Sequence, residues 1–140
     1  MIRKFKLEDL NDVMAIWLQS NMEAHDFIPQ SYWQDNFEMV KEMLPQAEIY
    51  VYEQECIQGF IGIMEGYIAG LFVRRADRSR GIGQQLVQYM KKEYNQLTLN
   101  VYEKNKAALA FYEKQDFECI GKSVDVHTNE VELAMRWEKR

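Results

Sequence analysis

A chain of 140 residues, 47% hydrophobic and 13% aromatic, is long enough to bury a sizeable core as one domain, expected here over residues 1–140. Its formal net charge of −5 argues against duplex nucleic acid as a partner, since such proteins carry a basic face. No apolar run reaches the length of a membrane span and Met1-Ile2-Arg3-Lys4 lacks a signal-peptide core, so the expectation is a cytoplasmic protein with no membrane partner.

In chain order, Ile2 to Phe5 predicts a short strand and Leu7-Glu8-Asp9-Leu10 opens a helix, with acids in the first turn where the dipole favours them. Leu10, Val13, Met14, Trp17 and Leu18 recur at helical spacing as its buried stripe. His25-Asp26-Phe27-Ile28-Pro29-Gln30-Ser31-Tyr32-Trp33 then gathers a histidine, an acid and aromatics into a turn, with Pro29 stopping any continuous helix. Ser31 is placed to cap the next helix, which carries Trp33, Phe37, Val40 and Leu44 inward before Pro45. The segment is either a connection whose aromatics plug the edge of the core or the wall of a pocket. Beside Asp26, the His25 imidazole can be tuned near neutrality.

Three strands follow: Glu48 to Glu53, Cys56 to Met64, and Tyr67 to Val73, with turns at Gln54-Glu55 and Glu65-Gly66. The continuous apolar character of the third predicts a central strand covered on both faces. Its sequence turns basic at Arg74, and Gly81 and Gly83 introduce a helical stripe of Ile82, Leu86, Val87 and Met90, with Lys91-Lys92 as solvated partners of the dipole. A strand running into a helix N-terminus makes an anion site: the first amides lack partners, the glycines admit a phosphate, and Arg78 and Arg80 add charge. The alternative is a glycine turn with solvated arginines. Leu97 to Val101 is a strand joined in parallel by right-handed crossover. Asn105 caps a helix bearing Ala107, Ala108, Phe111 and Tyr112, and Glu118 to Val126 with Glu130 to Trp137 predicts a hairpin across His127-Thr128-Asn129. Cys56 and Cys119 have no CxxC spacing and are expected as reduced, packed thiols with no metal.

Arg78-Ser79-Arg80-Gly81-Ile82-Gly83 matches the (Q/R)xxGx(G/A) loop of the GNAT superfamily of N-acetyltransferases. Asn105 through Phe117 matches its N-x-x-A-x-x-x-Y-x-x-x-G-F element, with Asp116 where the glycine usually stands, a residue that tolerates the left-handed region. With Leu71-Phe72-Val73 ahead of the loop, the chain resembles a small single-domain bacterial member over nearly its whole length. The resemblance implies an α/β (α+β mixed sheet) architecture, the GNAT acyl-CoA N-acyltransferase fold, with about seven strands splayed into a V and about four flanking helices. It implies acetyl-CoA as cosubstrate and direct transfer through a ternary complex to a primary amine, on a protein lysine, an N-terminus or a small molecule, by a monomer or homodimer. Leu71, Phe72, Val73, Arg78, Ser79, Arg80, Gly81, Ile82, Gly83, Gln84, Asn105, Ala108, Phe111 and Tyr112 are the implied cofactor residues. His25, Asp26, Phe27 and Trp33 are the implied wall of the acceptor pocket.

Acetyl transfer from a thioester needs a neutral amine, a stabilised oxyanion and a proton for the departing sulfur. Backbone amides of the splayed strand, at Leu71 and Val73, suit the pantetheine arm and the oxyanion. Tyr112 matches the family's general acid; read from its residues alone it packs like Phe111. Some relatives carry a catalytic glutamate at the position of Asn100, which accepts no proton usefully, so Glu65 is the leading base, ahead of Glu103 and His25. Two other readings are a catalytically inert acyl-CoA sensor and a phosphate-binding module using the glycine loop alone, although that loop lacks the Lys-Ser/Thr of a P-loop.

Overall fold

The computed structural model describes residues 1–140. Strand β1 (Ile2–Lys4) leads into helices α1 (Leu10–Ala24) and α2 (Gln30–Met43). The meander of β2 (Glu48–Glu53), β3 (Ile57–Met64) and β4 (Tyr67–Val73) comes next. Helix α3 (Ile82–Glu93) crosses to β5 (Gln96–Tyr102), and α4 (Lys106–Lys114) precedes the hairpin of β6 (Glu118–Asp125) and β7 (Glu130–Glu138). These are the expected seven strands and four helices, in one sheet of order β1-β2-β3-β4-β5-β7-β6. All neighbours are antiparallel except β4 and β5.

Each face of the sheet has its own core, because side chains alternate across it. Tyr50 and Tyr52 of β2 join Ile61, Ile63, Leu86, Met90 and Leu97 beneath α3, whereas Ile49 and Val51 join Val13, Met14 and Phe60 beneath α1. Leu86, Met90 and Leu97 are fully buried, each stabilising by about 1.5–3 kcal/mol. Of the predicted stripe of α1, Val13 and Met14 are buried and Leu10, Trp17 and Leu18 are half-buried, while Ile16, Ser20 and Asn21 are buried without having been expected.

Several local expectations change. Asp9, at the cap of α1, does more than complement the dipole: it is buried, receives a two-pronged ion pair from Arg3 at 2.8 and 3.0 Å, and accepts the Lys6 amide at 2.8 Å. Helix α2 begins at Gln30 with Pro29 at its cap and no side-chain bond, so Ser31 is an exposed first-turn residue and not the cap. Lys91 is half-buried, with Nζ donating to the Gln115 carbonyl at 2.5 Å and lying 5.0 Å from the Trp137 ring centroid; only Lys92 is left to solvent. Cys56 is partly covered, but Cys119 lies exposed on β6, the edge strand, so it is free and not packed.

The largest difference concerns β4. It is central in the sheet, yet of its seven residues only Ile68 is buried. The reason is the splay: β4 and β5 are bridged only at Tyr67 and Thr98, where the Thr98 amide donates to the Gly66 carbonyl at 3.0 Å. From Ile68 to Val73 one edge of β4 has no strand paired to it. Opposite this edge, the pairing with β3 shifts between Gly62 and Ile63, leaving Ala69 as the extra residue of a β-bulge.

Candidate active site

The strand β4 ends against the N-terminus of α3. Gly81, at φ +81°, is its cap, and the Gly81 carbonyl accepts the Gln85 amide at 3.0 Å. No side chain caps this end, so the amides of Ile82, Gly83 and Gln84 have no intrahelical partner, as an anion cradle requires. Ser79 also takes positive φ, +65°. Gly83 is bare for a packing reason that the sequence did not show: a Cβ there would stand 3.3 Å from the Phe111 ring, so its absence brings α3 onto α4. The Ile82 side chain lies in the core and only its amide faces the cradle, while Gln84 is exposed.

Charges around the loop are arranged by Asp77, which the sequence reading passed over. This buried carboxylate accepts Arg74 Nε at 2.7 Å and Gln58 Nε2 at 3.2 Å, and Arg80 Nη1 lies 3.6 Å away. Arg80 stays solvent-facing, but Arg78 turns back, donating from Nε to the Val73 carbonyl at 3.1 Å and from Nη2 to Glu23 of α1 at 3.0 Å.

The Arg74 amide donates to the Gln58 carbonyl at 2.7 Å, which fixes the alternation along β4. Phe72 and Gly70 therefore direct their peptide groups at β3, and Leu71 and Val73 direct theirs into the splay. The Val73 carbonyl is occupied by Arg78, leaving its amide and both groups of Leu71. Phe72 contributes no backbone group to the splay; its ring packs on Phe60 with centroids 5.3 Å apart.

Beyond this edge lies a cleft of about 270 Å³ whose lining brings Tyr67, Asn100, Asn105, Ala108, Tyr112 and Glu132 together. Tyr112 is buried edge-on to Phe111 and Phe117, at 5.2 and 5.5 Å, and burial pushes its phenol well above the usual value. It therefore holds its proton at neutral pH. Phe111 packs on Gly83 and does not line the cleft.

His25 and Trp33 also line the cleft, their rings stacked at 5.1 Å. The His25 Nδ1 is 3.0 Å from the Asn21 carbonyl, which can only accept, so Nδ1 carries the proton. Burial holds the imidazole below its ordinary pKa, partly offset by that hydrogen bond. The expected pairing with Asp26 does not form: Asp26 is exposed and faces no ring nitrogen of His25. Phe27 stands edge-on to both His25 and Tyr102, at 5.7 and 5.8 Å, behind the lining. Trp33 Nε1 is buried without a partner.

Neither acid favoured from sequence reaches the cleft. Glu65 opens the two-residue β3–β4 turn, with φ +50° before Gly66 at +85°, beyond the closed end of the splay. Glu103 is tied to Lys122 at 3.2 Å. The carboxylate that does line the cleft is Glu132 of β7, opposite Tyr102 and diagonal to Asn100 in the register. Burial, then the Asp125 charge, raise its pKa, and it makes no ion pair. Nearby, Asn100 Nδ2 donates to the Tyr67 hydroxyl at 3.2 Å. The only sequence signal for Glu132 is an acid alternating with Val131 and Leu133 on a strand, a pattern that assigns a face but not what the face looks upon.

Residues 19–138 match the family model described as an acetyltransferase (GNAT) domain. The chain is 37% identical over 123 residues to the peptidyl-lysine N-acetyltransferase YiaC of Escherichia coli K12, covering 86% of this chain and 84% of that protein. The solution structure of apo YjaB from Escherichia coli superposes with a TM-score of 0.88 at 29% identity, over 100% of this chain and 98% of that one. An acetyltransferase structure from Bacillus anthracis Ames, solved with acetyl coenzyme A, matches with a TM-score of 0.60 at 25% identity, over 66% of this chain and 62% of that one.

Proposed function

The chain belongs to the GNAT acetyltransferase family and is an acetyl-CoA-dependent N-acetyltransferase; on that premise we propose that its acceptor is the side-chain amine of a protein lysine. The observation that supports this is the meeting of three groups along one path. The uncapped α3 N-terminus suits the pyrophosphate of acetyl-CoA. The free Leu71 and Val73 groups suit an extended pantetheine, much as an added strand would. Tyr112 and Glu132 lie where such a path reaches the apex of the splay.

In this reading Glu132 draws in the cationic acceptor and takes its proton. A lysine near pKa 10.4 is almost wholly ammonium at neutral pH, so a carboxylate with a raised pKa is the better base for it. The freed nitrogen bonds to the carbonyl carbon as the C–S bond breaks, and the second proton it sheds in becoming an amide ends on the departing sulfur. The Leu71 amide is placed to donate to the oxygen on which charge develops. Tyr112 donates a hydrogen bond to the departing sulfur. Because its phenol is raised above the usual value near 10, it is a weaker acid than a thiol near 8.5, and it stabilises the sulfur while keeping most of its own proton. Asn105 and His25 position this end of the cleft. Gly81 with the α3 amides, and Arg80 from the outside, hold the phosphate end.

Purified protein and acetyl-CoA, given a lysine peptide with a blocked N-terminus, a lysine-free peptide with a free one, and a polyamine, should yield acetylation of the first by mass spectrometry. Acetylation confined to the α-amine or the polyamine overturns the lysine assignment.

A further inference from the structure

An apolar groove of about 420 Å³ lies beside the cleft on the α1–α2 side of the sheet, within the roughly 300–1,000 Å³ typical of small-ligand sites. Its floor is where Gly62 and Gly70 pair across β3 and β4, so at that pair neither strand projects a side chain into it. A Cβ on Gly62 would meet only Ile49 Cγ1, at 3.9 Å. Trp17, Val40 and Leu44 form the far wall, and Met43 and Met64, each 57% exposed, stand at the rim. Gln46 is the one polar side chain in the lining, which holds no charge. Groove and cleft share Trp17, Ala69, Gly70 and Phe72, so the two spaces meet at the β4 bulge. The Phe72 ring folds back over Gly70, 2.5 Å from where a Cβ would stand, and forms the partition between them.

We propose that this groove receives the acyl chain of longer acyl-CoA donors, making the protein a short- to medium-chain lysine acyltransferase as well as an acetyltransferase. The inference rests on the reading above that the thioester lies along Leu71. From there an acetyl methyl would end at the shared wall, and any longer chain needs a dry, uncharged continuation. The alternative occupant, a stretch of acceptor peptide, brings amide groups that must find hydrogen-bond partners when buried, and this lining offers them one glutamine. A hydrocarbon chain asks for none, and the unbranched, polarisable rim methionines adapt to chains of differing length. The step itself is unchanged: Glu132 accepts the ammonium proton, nitrogen bonds to the acyl carbon as the C–S bond breaks, and the second proton that the nitrogen sheds in becoming an amide ends on the sulfur, so that CoA leaves as its thiol.

The test compares kcat/KM for acetyl-, butyryl-, hexanoyl- and octanoyl-CoA on one lysine peptide, in the wild type, Gly62→Leu and Met43→Arg. Each methylene buried favours a donor roughly two- to fourfold, which offsets the bulk of a longer chain, so wild type should use hexanoyl-CoA at no less than about a tenth of its acetyl-CoA value. Gly62→Leu, filling the floor, should lower the hexanoyl value by about tenfold or more and leave the acetyl value within about twofold. If Gly62→Leu does not fold, Met43→Arg at the exposed rim carries the same expectation. A wild type that discriminates against hexanoyl-CoA by about a hundredfold or more overturns the inference, as does a variant that loses both donors equally. It is also overturned if Gly62→Leu raises KM only for peptides with an apolar residue beside the lysine. Acetyl transfer without hexanoyl transfer sinks this inference alone; no acetyl transfer to any amine sinks the underlying placement of the thioester.

Discussion

The Nδ2 of Asn105 lies 3.4 Å from the Nε2 of His25, joining the cap of α4 to the connection between α1 and α2, 80 residues earlier. The amide is oriented by its other duty, since Oδ1 accepts the Ala108 amide at 3.2 Å. Nδ2 must then donate to a lone pair on Nε2, which agrees with the proton on Nδ1 facing Asn21. One asparagine thus caps a helix and holds a neutral imidazole in the wall of the cleft.

Asn105→Asp should keep the cap and reverse the second contact. A carboxylate against Nε2 favours the protonated ring, so the His25 pKa should rise, followed by NMR of the ring protons. Asn105→Ala should lose the cap at about 1 kcal/mol, lowering Tm by roughly 3–5 °C. An unchanged His25 titration in Asn105→Asp would show that the contact is absent in solution.

Glu132→Gln should lower kcat/KM at neutral pH by about tenfold or more, and the deficit should close as pH approaches about 10, where lysine loses its proton unaided. In the wild type the rate should fall on the acid side as Glu132 protonates, at a pH above the ordinary 4.5 of a glutamate because its folded pKa is raised. Glu65→Gln should behave as wild type throughout. Equal losses from the two substitutions would return the base to Glu65.

Tyr112→Phe should cut kcat by about a hundredfold while the acetyl-CoA dissociation constant stays within about twofold. The phenol takes no protein hydrogen-bond partner, so thermal stability should hold. Undiminished turnover would leave Tyr112 a packing residue and favour the acyl-CoA sensor.

His25 should give stability a pH dependence of known sign. Its folded pKa is below the unfolded value of 6.5, so between the two the unfolded chain binds more protons. The contribution is complete above about 6.5 and is lost as pH falls towards the folded pKa. Asp9, held below 3.8 by Arg3, acts only in a more acidic window. Urea unfolding from pH 7 to 5 should show falling stability in the wild type and a flatter profile in His25→Gln. Identical slopes would mean that the imidazole is not buried neutral.

Much of the architecture was legible because it is written in local periodicity. Alternation marked the strands, the 3.6-residue stripes marked the helices, and Asn105 announced a cap that forms as expected. Asp116 takes the left-handed turn, φ +69°, that its place in the motif required. The uncapped helix N-terminus at Gly81 was readable for the same reason, since a helix N-terminus depends on the few residues that build it.

What the tertiary structure decided is which distant groups meet. Arg78 looks like a phosphate ligand in sequence, yet it reaches Glu23, 55 positions away, because the splay leaves the Val73 carbonyl and α1 within its span. Glu65 and Glu132 are both strand-end or strand acids with equal local claims, and only the docking of β7 against β5 brings the second to the cleft. The bareness of Gly62 and Gly70 means little until β3 and β4 pair them under Trp17. Backbone periodicity is a short-range property that a sequence states directly; the partner of a charge, and the space left by a missing side chain, exist only once segments far apart have packed.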